Sequence, residues 1–377
     1  MKARWPTAAL FFAAVPVAAV MLGAGASTST SMRQTPADNA FHDSHFHLTN
    51  YVQEGVDVRR HLETMGTRVR RSTLFGIPLQ QQWSHNNSGD FAPTYYLHSD
   101  APLYYYSFTD AYIASVYRTL SPRDRDRFDP MITGFNPADM YGVDHIRRVL
   151  TAFPGVFTGI GEFSVHKEFV SAKIQGETAS LTNPALDRIL EFAAEAGLVV
   201  ILHNDIDMPF AKQDTEPVYL AQTKALLARH PRASIIWAHV GLGRIVHPVR
   251  SSAEAAERSP AQMTIVEGML TDPALRHVNF DISWDEVAKY AVATPESIAR
   301  VVAVLNKYPD RFLFGTDTVA PQGPEPYYAV FELWSPVWRQ LTPEASAKVR
   351  TGNYERLFDE GRRRVRAWEK AHGLTEH

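Results

Sequence analysis

Eight short apolar runs constrain this chain more than any other feature. They occupy residues 41–48, 72–78, 129–135, 156–163, 198–203, 233–239, 277–283 and 311–317. Each is rich in Val, Ile, Leu and Phe and nearly continuous, as expected of a strand buried on both faces. Helical patterns fall between them. Thr182-Asn183-Pro184 offers a capping residue and a proline for the first turn, Leu186, Ile189, Leu190 and Ala193 form an apolar stripe, and Gly197 ends it. A second helix opens at Thr294-Pro295-Glu296, runs to Lys307 and stops at Pro309, and a third opens at Thr342-Pro343-Glu344. Strands alternating with helices require a parallel sheet. Eight such strands predict an α/β fold of the (β/α)8, or TIM, barrel type. A doubly wound open sheet is the runner-up, disfavoured because no glycine-rich phosphate loop follows the first strand.

The rhythm breaks once, after the second strand. The insertion from Leu79 to Phe128 carries Tyr95, Tyr96, Tyr104, Tyr105, Tyr106, Phe108 and Tyr112, with a helix predicted from Thr109 to Leu120. In a barrel it lies at the C-terminal face, where Tyr105 would line a substrate pocket or the tyrosines would seat the insertion on the barrel.

Upstream of the first strand, Lys2 and Arg4 precede an apolar run from Ala8 to Gly23, and Ala24-Gly25-Ala26 supplies small residues. This is the form of a secretory signal peptide over 1–26, cleaved after Ala26, and the run is shorter than a membrane-spanning helix and interrupted by Pro16. Residues 27–40 read as a polar linker and 41–377 as the barrel with its C-terminal helices. The expected location is the periplasm, or outside the cell. The chain has no cysteine. An exported chain without disulfides must rely on a large core, and any metal site must use nitrogen and oxygen donors. The formal net charge is −3 and the basic runs, such as Arg362-Arg363-Arg364, are short, so charge gives no support to nucleic-acid binding.

Metal-type residues recur at the ends of the apolar runs. The first carries His45-Phe-His47, whose two-residue spacing puts both imidazoles on one strand face. Glu162, His203, His239 and Asp317 end the fourth, fifth, sixth and eighth runs. In a barrel these ends converge on one mouth. Isolated imidazoles and carboxylates there would each need a partner, and a shared cation satisfies them together. Such donors suit Zn²⁺ first, then Mn²⁺, Fe²⁺ or Ni²⁺. Arg244, in Val240-Gly-Leu-Gly-Arg244, and Trp284 are candidate substrate contacts. His166, Lys167, Asn204 and Asp205 are weaker ones, and Asp281 and Ser283 would support the ligands. Asp43, just before the histidine pair, is expected to support it rather than to ligate.

The H-x-H pair, the histidines of the fifth and sixth runs and the aspartate of the eighth resemble the amidohydrolase superfamily. Thr351-Gly-Asn-Tyr-Glu-Arg-Leu-Phe358 is similar to the closing motif of its amidohydrolase-related branch. The resemblance implies that His45, His47 and Asp317 hold one metal. It implies that His203 and His239 hold a second, or bind metal and substrate around the first, and that Glu162 bridges two ions or orients a ligand histidine. Asp317 would be the general base, His239 or His203 would stabilise developing negative charge, and a homodimer is common. The activity implied is metal-dependent hydrolysis of an amide, ester, lactone or phosphoester. The same motif set also occurs in non-oxidative decarboxylases of aromatic acids, which the tyrosine-rich insertion and Arg244 would suit. A non-catalytic metal- or ligand-binding barrel is the third reading.

Overall fold

The computed structural model describes residues 40–50, 54–77, 82–83, 97–98, 108–167, 180–207, 216–243 and 252–374. The signal-peptide region, all but the last residue of the expected linker, Tyr105 and Arg244 lie outside these residues. The strands in chain order are β1 (Phe41–Asp43), β2 (Phe46–His47), β3 (Val69–Leu74), β4 (Gln82–Trp83), β5 (Leu97–His98), β6 (Phe128–Ile132), β7 (Gly159–Ser164), β8 (Val199–His203), β9 (Ser234–Trp237), β10 (Val278–Asp281), β11 (Phe312–Leu313) and β12 (Thr318–Val319). Eight of them pair in the order β1-β3-β6-β7-β8-β9-β10-β11, all parallel. The first and last strands meet through β12 and β2, paired in parallel at Thr318–Phe46 and Val319–His47, and through Ser44 N donating to Phe314 O at 3.0 Å. The expected (β/α)8 barrel is the fold. The pair β4–β5 is a small separate sheet inside the insertion.

Strand periodicity divides the core in two. Val200, Leu202, Ile235 and Trp237 join the cluster between the strands and the surrounding helices. Their alternates Val199, Ile201, Ile236 and Ala238 join a second cluster with Phe75, Met131 and Leu313, which fills the barrel interior. Tyr354, Leu357 and Phe358 belong to that inner cluster, so the helix Asn353–Ala371 plugs the N-terminal end of the barrel. His203 has the parity of Val199 and Ile201 and so points inward at the opposite, C-terminal end.

Local chemistry explains the helices. Asn183 caps Pro184–Ala196 by accepting from Ala185 N, and the helix ends at Gly197. Thr294 and Ser297 form a reciprocal capping box for Pro295–Lys307. The helix Thr109–Arg118 matches the expected 109–120 to within two residues. Two strands depart from expectation. The first run is not one strand: it bends at Ser44, and His45 lies in the bend. The last run likewise breaks between β11 and β12.

Candidate metal centre

The bend in the first run is set by Asp43. Its carboxylate accepts from His45 N at 3.0 Å, Thr316 N at 2.9 Å, Thr316 Oγ1 at 2.7 Å and Tyr327 OH at 3.0 Å. It ties the two broken strands together and does not face the histidines. Burial pushes its pKa up to about 6 against the pull of those donors. The H-x-H pair therefore converges through a shaped turn rather than through regular strand alternation, with the His45 and His47 rings 5.3 Å apart.

Two glycines make room for the site. Gly161 sits in the irregular stretch of β7 with φ +108°, and a Cβ there would stand 2.2 Å from Ile201 O. That stretch presents Glu162 to the barrel mouth. Gly315 passes the backbone beside His45, where an added Cβ would fall 2.7 Å from the His45 Cβ. Three residues next to these positions, His239, Trp284 and Asp317, take left-handed backbone angles, with φ of 56°, 80° and 52°. Non-glycine residues rarely adopt that region, and such strain gathers where a side chain must be aimed. Asp317 N is held by His45 O at 2.7 Å and His239 N by Asp281 Oδ1 at 2.8 Å.

All six expected ligands meet in this mouth. Glu162 lies between two pairs of imidazoles. Its Oε2 is 3.5 Å from His47 Nε2 and 3.8 Å from His45 Nε2, and its Oε1 is 3.4 Å from His239 Nε2 and in hydrogen-bond contact with His203 Nδ1. Asp317 spans the same gap. Its Oδ1 is 3.0 Å from His47 Nε2 and 3.4 Å from His45 Nε2, with Oδ2 3.9 Å from His239 Nε2. Among the described residues the donors close enough to share an ion form three groups: His45, His47, Glu162 and Asp317; Glu162, His203 and His239; and His45, His239 and Asp281, with Glu162 common to the first two.

Supporting residues fix the rings. Asp281 Oδ2 is 3.0 Å from His45 Nδ1, and Ser283 Oγ is 2.8 Å from His239 Nδ1. Each ring thus turns its Nε2 inward. His45 Nε2 and His239 Nε2 are buried and have no hydrogen-bond partner. Burial opposes charge on every group here, yet His239, His45 and His47 outweigh it at Asp317, whose carboxyl stays below its ordinary range. Lys167 and His203 do the same for Glu162, held well below. For His45, burial is overcome by Asp281, Asp317 and Glu162, and its pKa is raised well above the ordinary value. Ionised carboxylates demanding positive charge, facing buried nitrogens without partners, fit a divalent cation.

Residues 43–359 match the Amidohydrolase family model. The chain belongs to the amidohydrolase family. An amidohydrolase from Burkholderia multivorans shares its fold, with 12% identity, a TM-score of 0.51 and coverage of 85% of this chain and 99% of that one. It has been solved both with HEPES and with zinc bound. A putative 2-pyrone-4,6-dicarboxylic acid hydrolase from Pseudomonas putida is 14% identical over 85% of this chain and 98% of its own, with a TM-score of 0.48. No curated protein sequence matches the chain.

Among the described residues the remaining candidates separate. The Trp284 ring lies 5.2 Å from that of His239 and borders, with Lys289, Asp317 and Thr318, a groove beside the centre. Lys167 is buried, its Nζ 3.8 Å from Glu162 Oε1, closer to the chemistry than its loop position implied. Asp205 Oδ1 holds His203 Nε2 at 2.9 Å, so it orients a ligand rather than closing a turn. Asn204 binds Thr223 Oγ1 at 3.0 Å and faces the fold, not the mouth. The His166 ring stacks on Tyr219 at 3.7 Å, a contact with no sequence signal because Tyr219 follows a different strand.

Proposed function

We propose that the chain is a metal-dependent hydrolase whose mouth holds two divalent cations, zinc foremost, and activates water against an amide, ester, lactone or phosphoester. The observation that carries this reading is the split of Glu162, one oxygen toward His45 and His47 and the other toward His203 and His239. Asp317 completes the first donor set. When bound, such a cation lowers the pKa of water toward neutrality and polarises the substrate oxygen. Asp317, ionised and reaching the mouth with Oδ2, is placed to take the proton of the attacking water and return it to the leaving group. With a single cation, His239 Nε2 would instead stabilise negative charge on the substrate oxygen. Trp284, walling the groove beside Asp317, would contact the substrate. Tyr105 and Arg244, which would favour an aromatic acid and hence decarboxylation, lie outside the described residues, and no observed contact favours that reading.

The test is elemental analysis of the purified protein together with Asp317→Asn. About two equivalents of metal per chain, and a folded variant without turnover, are expected. One equivalent would remove the bridge, and a fully active variant would remove the base. Export to the periplasm is part of the proposal, supported by Lys2, Arg4 and the apolar run after them. The mature protein should begin at Ser27 on N-terminal sequencing, and an intact Met1 in the exported fraction would refute the signal peptide.

A further inference from the structure

At the barrel end away from the metal centre, Arg232 precedes β9, Arg276 precedes β10 and Arg311 precedes β11, while Arg356 comes from the plug helix. All four border one concave groove. Arg311 is spent on carbonyls, donating to Val278 O at 2.7 Å and Leu275 O at 2.8 Å. Arg356 donates to Asn279 Oδ1 at 3.0 Å and Asp310 O at 2.8 Å. None of these acceptors is ionised. Burial and the neighbouring Arg356 hold Arg311 below its ordinary pKa. Arg232 and Arg276 are exposed and make no hydrogen bond or ion pair among the described residues. Asp310 is the carboxylate bordering the groove, and Lys348 already engages it at 2.9 Å. Four guanidinium groups thus border the groove against one carboxylate, which Lys348 engages and whose charge also acts on Arg356, in a chain whose net charge is −3.

We propose that this groove binds a small molecule carrying phosphate groups, such as a pyrophosphate or a phosphate ester, at a site separate from the metal centre. Guanidinium forks match the oxygens of a phosphate in pairs, and several together need a ligand with more than one negative charge. Concavity favours a small polyanion over a flat anionic surface. Arg311 and Arg356 shape the floor through their carbonyl and amide bonds, and the unengaged Arg232 and Arg276 grip the ligand.

The experiment is titration calorimetry of the full chain with inorganic pyrophosphate at low ionic strength, beside citrate at matched ionic strength. Saturable pyrophosphate binding is expected, at least ~10-fold weaker in the Arg232→Ala, Arg276→Ala double variant. The double variant should melt at the wild-type temperature, because neither side chain holds the fold. Binding should persist in Asp317→Asn, which separates the groove from the mouth. No saturable binding, equal binding by the double variant, or equal affinity for citrate would overturn the proposal. Capture by phosphatidic acid vesicles without pyrophosphate binding would overturn it in favour of a lipid surface.

Discussion

Asp281 holds His45 by its ring and His239 by its backbone, and it also accepts from Ser283, which holds the His239 ring. One buried carboxylate therefore aims two of the nitrogens that face the candidate centre. The pressure on it is visible in its pKa, which burial would raise but the imidazoles of His45 and His239 lower. Asp281→Asn should keep the fold, because the amide is isosteric, yet weaken metal binding ~10- to ~100-fold. Competition with a metallochromic chelator measures this, and an unchanged affinity would show that the strained backbone at His239 aims the ring without Asp281. At this scale the sequence exposes residue types but not their division of labour. Asp43, Asp205, Asp281 and Asp317 all lie in or just after apolar runs. What separates a ligand from a support is which hydrogen-bond donors surround each carboxylate, and those come from distant segments.

The helix Val58–Met65 illustrates the element scale. Asp57 caps it, and it buries His61 against β2, the imidazole stacked on Phe46 at 3.6 Å and edge-on to Tyr327 at 5.3 Å. Both ring nitrogens are buried without partners, and burial followed by the charge of Arg127 pushes the pKa down to about 3. The unfolded chain, with an ordinary histidine near 6.5, takes up that proton first, so His61 costs stability as pH falls from about 6.5 toward about 3. The loss should approach about 1.4 kcal/mol per pH unit within that window. Chemical denaturation at pH 7.5 and 5 should show a smaller drop for His61→Phe than for the wild type. Equal drops would mean the ring titrates normally in the native state. The strand positions and the long capped helices were legible because they depend on local period and capping. The bend at Ser44 and the left-handed residues were not, because Thr316, Tyr327 and Asp281 impose them from elsewhere in the chain.

For the barrel as a whole, the N-terminal end is locked through Asp129. Its buried carboxylate accepts from Arg71 Nη2 at 2.7 Å, Arg362 Nη2 at 2.8 Å and Tyr354 OH at 2.8 Å, joining β3 and β6 to the plug helix. Burial works against ionisation, but Arg71 and Arg362 prevail and lower its pKa below the ordinary value. A carboxylate lowered on folding stabilises above the unfolded pKa and loses that contribution as pH falls through the folded one. Asp129→Asn should therefore cost about 1–3 kcal/mol near pH 7, the cost of weakening charge-assisted hydrogen bonds while Arg71 keeps Asp359 and Arg362 keeps the Phe128 carbonyl. The deficit should narrow below about pH 4, and a deficit independent of pH would mean that packing, not charge, holds the plug.

From its sequence alone the chain determined the eight strands, their parallel order around a barrel, and the set of six residues that gathers at one mouth. Those follow from local period and from the rule that strand ends meet on one face. Only the tertiary structure decided that Glu162 stands between two pairs of imidazoles, that Asp281 supports His45 through its ring while Asp43 supports it through its backbone, and that Lys167 is buried beside Glu162. The reason is physical: such roles depend on distances of a few ångströms between segments far apart in the chain, set by bends and strained backbone that no local pattern encodes.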